Sequence, residues 1–125
     1  MANQVTLDAA FAACAHPIRR GIVERLATEE RGAAGGVGLS VGEATREFAV
    51  SKPAISRHLR VLEEAGAIVR VIDGRTHRLH LAEQPFDDAA DWIGRLREMW
   101  ERKFDVVEQF IAESREDVRG GGGSK

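Results

Sequence analysis

The segment SKPAISRHLRVLEEAG, residues 51–66, constrains the fold more strongly than any other part of this chain. It opens with a serine and, two residues later, a proline, which both favour a helix start, and it closes on a glycine, which favours a helix end. At about 100° per residue, one face of this helix carries three aliphatic side chains, Ile55, Leu59 and Leu62. The sequence therefore predicts a helix that buries this face against a core.

The opposite face of the same helix is polar and basic. It carries Pro53, Arg57, Arg60 and Glu64, with Ser56 at its border and Lys52 at the N-terminal end. Arginine binds guanine through two hydrogen bonds, and serine, lysine and helix N-termini bind bases or phosphates. This face therefore indicates DNA binding. The alternative for both arginines is a solvated surface, and Arg60 in particular fits either a phosphate contact or a surface role.

The segments before this helix are also predicted to be helical. Pro17 separates two helices, at about 5–15 and 17–29. A third helix begins at Ser40, which has capping-box spacing with a glutamate, and ends near Ala49. A short turn then leads into the basic helix, so the pair has the arrangement of a helix-turn-helix.

After the basic helix, AIVRVIDGRTHRLHL is β-branched and aliphatic on both sides of Asp73-Gly74, a strong hairpin signal. A last helix is expected from Pro85 to about Glu116. The predicted fold class is mainly α with a small β-hairpin: a winged helix-turn-helix of five helices plus a wing. Residues 1–116 would form one DNA-binding and dimerisation domain, residues 31–38 a loop, and residues 117–125 a flexible tail, either a linker or a cloning remnant.

Charge is unevenly distributed, although the net charge is only −2. Residues 51–81 hold six basic against three acidic side chains, whereas residues 86–118 hold ten acidic against five basic ones. One end of the molecule is therefore expected to attract phosphate while the other repels it. The composition is that of a soluble globular protein, and no segment resembles a signal peptide or a membrane span, so we expect a cytoplasmic protein.

Three stretches together resemble the ArsR/SmtB family of bacterial winged-helix transcriptional regulators: ACAHPIRRGIVERLA, LSVGEATREFAVSKPAISRHLRVLEEAGAIVRV and DGRTHRLHL. The resemblance covers roughly residues 7–115. It implies a homodimeric repressor whose first and last helices form the dimer interface, whose fourth helix reads the major groove and whose wing contacts flanking DNA. By this resemblance the DNA-binding residues are Ser51, Lys52, Pro53, Ser56 and Arg57 in the helix, with Arg75 and Thr76 in the wing.

The chain departs from the metal-sensing members of that family. Its third helix, GEATREF, offers Glu43 but no cysteine, and its last helix contains no histidine. His77 and His80 fall on opposite faces of a strand because successive side chains alternate there. We therefore predict no metal and no cofactor.

Two further polar residues have more than one interpretation. His58, at the border of the apolar stripe, is interpreted as a half-buried, hydrogen-bonded histidine, with a base or metal contact as the alternative. Cys14, the only cysteine, excludes an internal disulfide. We expect it to be a small buried side chain near the dimer interface rather than a redox sensor.

The last helix is longer than a small core requires, and its apolar residues recur at helical spacing. A second copy of the chain would bury them, so the predicted dimer interface comprises Leu7, Phe11, Ile93, Leu96, Trp100, Phe104 and Val107. The aromatic residues Phe86, Trp100, Phe104 and Phe110 are assigned to the core or to this interface. A pocket for a lipid or drug between the dimer helices is the alternative.

These features predict a dimeric, sequence-specific, DNA-binding transcriptional regulator, a repressor that reads an inverted-repeat operator. Its partners would be double-stranded DNA and a second copy of the chain, with a small-molecule effector left open. The alternatives are a winged-helix protein-interaction module and a regulator that responds to a lipid or small apolar molecule. No nucleophile-base pair or carboxylate cluster indicates an enzyme.

Overall fold

A computed structural model of the chain describes residues 4–29 and 38–123, with side chains over 6–29 and 38–118. The predicted loop at 31–38 therefore lies almost entirely outside the described residues. In chain order the elements are α1 (Gln4–Ala13), α2 (Pro17–Thr28), β1 (Leu39–Ser40), α3 (Val41–Thr45), α4 (Lys52–Glu64), β2 (Ile68–Asp73), β3 (Thr76–Leu81) and α5 (Glu83–Gly123). This mainly helical fold with a small antiparallel sheet confirms the predicted fold class.

The chain divides into two compact units, residues 1–90 and 91–125. The first unit contains a hydrophobic core to which α2, α4 and the sheet all contribute. Its largest fully buried side chains are Ile22, Leu39, Leu59, Leu62 and Leu79. Ile55 is buried with them, so the predicted apolar stripe of α4 is confirmed.

Both ends of α4 are fixed by local hydrogen bonds. The Ser51 hydroxyl oxygen accepts from the Ala54 N–H at 3.3 Å, which caps the N-terminus. At the other end the Ala67 N–H donates to the Leu62 carbonyl at 2.9 Å and the Gly66 N–H donates to the Glu63 carbonyl at 3.0 Å. These two bonds form a Schellman motif, which requires the positive φ of 72° that Gly66 adopts.

The helix before α4 begins where predicted but is shorter. Ser40 and Glu43 form both bonds of the predicted capping box. The helix ends at Thr45 rather than near Ala49, because the chain turns there, with the Phe48 N–H bonded to the Thr45 carbonyl at 3.2 Å. Phe48 packs against the core, so the residues after Thr45 serve as the turn between α3 and α4.

The sheet has three antiparallel strands in the order β1-β3-β2. The wing formed by β2 and β3 confirms the predicted hairpin, whereas β1, only two residues long, was not predicted. Asp73 pairs with Thr76, so the loop is Gly74–Arg75 rather than Asp73-Gly74. Gly74 has a φ of 63°, whereas Arg75, like every other described non-glycine residue, does not have a positive φ. A positive φ at only the first of the two loop residues is the pattern of a type II′ turn. This turn places Arg75 at the wing tip.

The beginning of α5 is tied to α1 within the first unit. The Asp88 carboxylate is buried, and it accepts hydrogen bonds from the Thr6 hydroxyl and, at 2.9 Å, from the Gln84 amide. These bonds satisfy a carboxylate that would be costly to bury without donors.

The other end of α5 corrects the predicted boundary. The helix continues past Glu116 to Gly123, although residues 120–123 are glycines of low helix propensity. The segment predicted to be a flexible tail is therefore helical up to Gly123, and its origin as a linker or cloning remnant stays a prediction. In the described residues, no helix combines the length and apolar character of a membrane span.

Candidate nucleic-acid interface

The face of α4 opposite the buried stripe is exposed along its whole length. Lys52, Arg57 and Arg60 are exposed there, and none of them has an ion-pair partner in the described part of the chain. Ser51, Pro53 and Ser56 are exposed beside them. The structure therefore brings the predicted helix residues together on one accessible, positively charged face.

The wing has less available positive charge than its sequence suggests. Arg70 is paired with Glu63, and the Arg78 Nε lies 3.5 Å from the Asp73 carboxylate. Arg75 is exposed in the two-residue loop without an ion-pair partner among the described residues, and Thr76 follows it, also exposed. Arg75 is thus the wing cation that is available to bind phosphate.

One further cation was missed by the sequence analysis. Arg46 lies directly after α3, in the turn that leads to α4, and it is exposed with no ion pair to any described residue. In a helix-turn-helix the first helix crosses the DNA backbone, so an arginine in this turn is suitably placed for a phosphate. The sequence predicted a third helix that contained Arg46 and ended near Ala49, so only the early end of α3 at Thr45 puts this arginine in the turn.

His58 lies at the edge of this exposed face and confirms the interpretation as a half-buried, hydrogen-bonded histidine. Its Nδ1 lies 3.3 Å from Arg19 Nη1, and its ring centroid lies 4.3 Å from that of His16, at an interplanar angle of 46°. Burial lowers the pKa of His58 below its ordinary value of 6.5, and the electrostatic effect of the neighbouring His16, Arg19 and Arg57 side chains lowers it further.

Among the described residues, the remaining cysteine and histidine side chains are not grouped as metal ligands would be. Cys14 is only partly buried, which corrects the expectation of a buried side chain: it follows the last residue of α1, and Ala10 and Ala13 take the buried positions. His77 and His80 lie three residues apart on β3. Over residues 4–29 and 38–123, no group of three or more histidine, cysteine or acidic side chains is arranged to hold a metal ion.

The predicted interface residues of the second unit form an exposed apolar stripe on α5. At about 100° per residue, its members lie within about 40° of Trp100: Ile93, Leu96, Trp100, Phe104, Val107 and Ile111. All are exposed in the single chain, and the Trp100 and Phe104 rings stack with centroids 5.9 Å apart. In the first unit, Leu7 is partly buried and Phe11 is 42% exposed.

The four aromatic residues that the sequence analysis grouped together divide into two sets. Phe86 is partly buried against the core of the first unit. Trp100 and Phe104 belong to the exposed α5 stripe, and Phe110 is 68% exposed outside it.

Comparison with known proteins agrees with this geometry. A family model described as a helix-turn-helix domain matches residues 15–71, which contain α2, α3 and α4. The HTH-type transcriptional regulator Rv2034 of Mycobacterium tuberculosis is 47% identical over 58 residues, which make up 46% of this chain and 47% of that protein. The chain therefore spans about half the length of this curated relative.

Two solved structures match over more of the chain. A structure of an ArsR family transcriptional regulator has a TM-score of 0.64 and 27% identity, and the match covers 81% of this chain and 97% of that one. A protein described as a possible transcriptional regulator for arsenical resistance is 31% identical with a TM-score of 0.54, over 73% of this chain and 82% of that one. This chain belongs to the ArsR family. Its fold is an ArsR-type winged helix-turn-helix, and the matched proteins are described as transcriptional regulators, as the sequence predicted.

Proposed function

We propose that this ArsR-family chain is a homodimeric repressor that reads an inverted-repeat operator by inserting α4 into the major groove. The main support for the proposal is that α4 has one buried apolar face and one exposed basic face. Ile55, Leu59 and Leu62 are buried, whereas the opposite face presents Lys52, Arg57 and Arg60 without ion-pair partners in the described chain. Unpaired arginines on an exposed helix are available for guanine and phosphate.

The N-terminal half of α4 supplies the proposed contacts. Ser51, Lys52, Pro53, Ser56 and Arg57 lie in this half, and the backbone N–H groups of the first turn add partial positive charge. Arg57 is proposed as the base-reading residue and Arg60 as a phosphate contact. In the wing, Arg75 and Thr76 would contact the flanking backbone.

The stripe on α5 supports the dimer. Large apolar side chains at this density are unfavourable in water, and a second copy related by a two-fold axis would cover them with the same residues. Leu7 and Phe11 are proposed to contribute from α1. A two-fold dimer would present two recognition helices about 34 Å apart, one DNA turn, so the operator would be an inverted repeat.

The test is selection of bound fragments from a random pool of double-stranded DNA, followed by affinity measurement at fixed salt. We expect the selected fragments to share an inverted repeat, and six to eight phosphate contacts would give a log–log salt slope of roughly −5 to −7. Arg57→Ala should cost about 1–3 kcal/mol and relax the preference at one base per half-site. Arg95→Ala, which removes an exposed arginine from α5, is the matched control and should leave the affinity unchanged.

Two results would contradict the proposal. If selection enriched no sequence, a protein-interaction module would account better for the basic face. If Arg57→Ala left both affinity and base preference unchanged, Arg57 would not read a base. A reporter gene placed behind the selected operator then tests repression: expression should fall when the protein is present.

A further inference from the structure

Three side chains from two elements meet beside the recognition helix without belonging to its exposed cationic face. His16 caps the N-terminus of α2, Arg19 lies in the first turn of α2, and His58 lies on α4. His58 is the residue directly after Arg57, the proposed base reader. The cluster therefore connects α2 to the half of α4 that is proposed to enter the groove.

The protonation state of this cluster follows from its partners. The Ile18 N–H donates to His16 Nδ1 at 3.1 Å, and an amide N–H has no acceptor capacity. Arg19 Nη1 faces His58 Nδ1 at 3.3 Å, and a guanidinium only donates. Both Nδ1 atoms therefore accept a hydrogen bond, and in His58 this corresponds to the neutral imidazole with its proton on Nε2.

Arg19 is held in place by further bonds. Its Nη2 donates to the Ala12 carbonyl at 3.2 Å and its Nε donates to the Ala13 carbonyl at 3.3 Å, both at the end of α1. Because these bonds fix the guanidinium, it cannot turn away from His58 without releasing the end of α1.

We propose that His58 is a positioning residue that holds α4 in its DNA-binding position only while its imidazole is neutral, so that acidification weakens operator binding. The proposal rests on the proposed DNA-binding function of α4. Protonation would place an N–H on Nδ1 directly against the Arg19 donor, and neither group could accept. In the part of the chain that the structure describes, the charged or titratable groups that face His58 are His16 at the N-cap of α2, Arg19 in α2 and Arg57 in α4, and none of these three carries a negative charge.

The direction of the pH effect follows from the lowered pKa of His58. In the unfolded chain the ordinary value is 6.5, and in the folded chain burial and the neighbouring cations hold it lower. The stabilising interaction is therefore fully present above about pH 6.5 and disappears as the pH falls through the lowered folded pKa. A histidine that merely approached DNA phosphates would act in the opposite sense, because its protonation would strengthen binding.

The first experiment compares wild type, His58→Asn and His58→Ala on the selected operator at about pH 7.5 and about pH 5.5. The asparagine amide oxygen stands near the position of Nδ1, so it accepts from Arg19 but does not titrate. We expect acidification to weaken operator binding by the wild type between about threefold and tenfold, where tenfold is the most that one histidine of ordinary pKa 6.5 can contribute at about pH 5.5. The asparagine variant should weaken less than about threefold. The alanine variant should bind more weakly than the asparagine variant at the higher pH.

The other histidines of the chain are present in all three proteins, so the difference between wild type and His58→Asn isolates His58. If wild-type affinity rose on acidification, or fell equally in the asparagine variant, the proposal would be overturned.

The second experiment does not require DNA, so it separates failure of this proposal from failure of the proposed function. Nitrogen-15 NMR of the wild-type histidine rings should show His58 with its proton on Nε2 and with a pKa below 6.5. A proton on His58 Nδ1 at neutral pH, or a His58 pKa of 6.5 or higher, would show that the proposed hydrogen bond from Arg19 to His58 is wrong. If the NMR result were as expected but operator affinity did not follow the titration, the positioning role would be wrong.

Discussion

Arg70 on β2 and Glu63 near the end of α4 form an ion pair that joins the wing to the recognition helix. Arg70 Nε donates to the Glu63 carboxylate at 3.0 Å, and Nη2 makes a second contact to the same oxygen. Arg70 Nη1 lies 3.2 Å from His77 Nδ1 on β3, so one guanidinium connects the helix with both strands of the wing. Although Arg70 belongs to the basic segment of the sequence, its charge is used inside the protein.

Arg70→Ala should therefore weaken operator binding without removing a DNA contact. Both side chains are about a third exposed, so solvent screens the pair and the loss should be at most about 1 kcal/mol, or up to about fivefold in affinity. The matched control is Arg97→Ala, which breaks an exposed pair with Glu101 on α5. Equal operator affinities for the two variants would show that the pair does not position the wing.

Gly21 on α2 lies directly beneath the Phe48 ring, and Gly21→Ala should be destabilising for that reason. A Cβ at Gly21 would lie 2.5 Å from Phe48 Cζ and 2.6 Å from Cε1, too close unless the ring moves. Overpacking of this kind costs about 1–3 kcal/mol, and the better helix propensity of alanine offsets up to about 1 kcal/mol. We expect a net loss in the free energy of unfolding, measured by urea denaturation.

Gly42→Ala is the control for this prediction. A Cβ at Gly42 in α3 would have no neighbour within 4 Å, so this variant should be neutral or slightly more stable. If both alanine variants changed stability equally, the Phe48 ring would not be the cause.

The sequence predicted α4 and its two faces well because the signals are local. The Ser51 cap, the aliphatic stripe and Gly66 all lie within one segment, and each performs its expected role. The short strand β1 has no such signal, since two residues show no alternation and its place is set by pairing with Leu79 and Arg78. The early end of α3 likewise depends on where Phe48 packs.

The sequence predicted which residue types form the candidate site, but it did not predict which of the charged side chains form ion pairs within the protein. Arg57, Arg70, Arg75 and Arg78 all carry the same charge in the sequence, yet two of them are engaged with Glu63 and Asp73. The contact of His58 with His16 joins residues far apart in the chain, and no spacing rule indicates it. Tertiary contacts decide which cations are available.

His16→Ala should remove the N-cap of α2. The His16 Nδ1 accepts from the Ile18 N–H, and loss of a capping side chain typically costs about 1 kcal/mol. His16→Ser retains an acceptor for that N–H and should recover most of the loss in urea denaturation at neutral pH. If the serine variant were as unstable as the alanine variant, the ring contact with His58 rather than the cap would account for the effect.

Arg75→Ala should weaken binding to all DNA sequences about equally. Arg75 lies at the wing tip without an ion-pair partner in the described chain, and such an arginine meets mainly the backbone. The log–log salt slope should fall in magnitude by about 1 for each phosphate that is no longer bound. A change in preference at flanking A·T positions would instead indicate that Arg75 reads the minor groove.

Trp100→Glu should separate the proposed dimer. Trp100 is 58% exposed in the single chain and lies in the middle of the apolar stripe on α5. A carboxylate there would be buried against the same stripe of a second copy, at a cost of several kcal/mol unless it found a donor or reached water. We expect the variant to be a monomer in sedimentation velocity at micromolar concentration and to lose high-affinity operator binding, although each helix-turn-helix stays folded.

Val106→Glu is the matched control for the dimer, because it introduces the same charge at an exposed apolar position of the same helix. Val106 is 67% exposed and lies about 120° from the centre of the stripe at 100° per residue, so a dimer formed through the stripe leaves it in water. This variant should sediment as a dimer and bind the operator as the wild type does. Two results would exclude the stripe as the dimer interface. One is a monomeric wild type that still binds an inverted repeat tightly. The other is a Trp100→Glu variant that remains dimeric, in which case the two copies would have to associate through another surface.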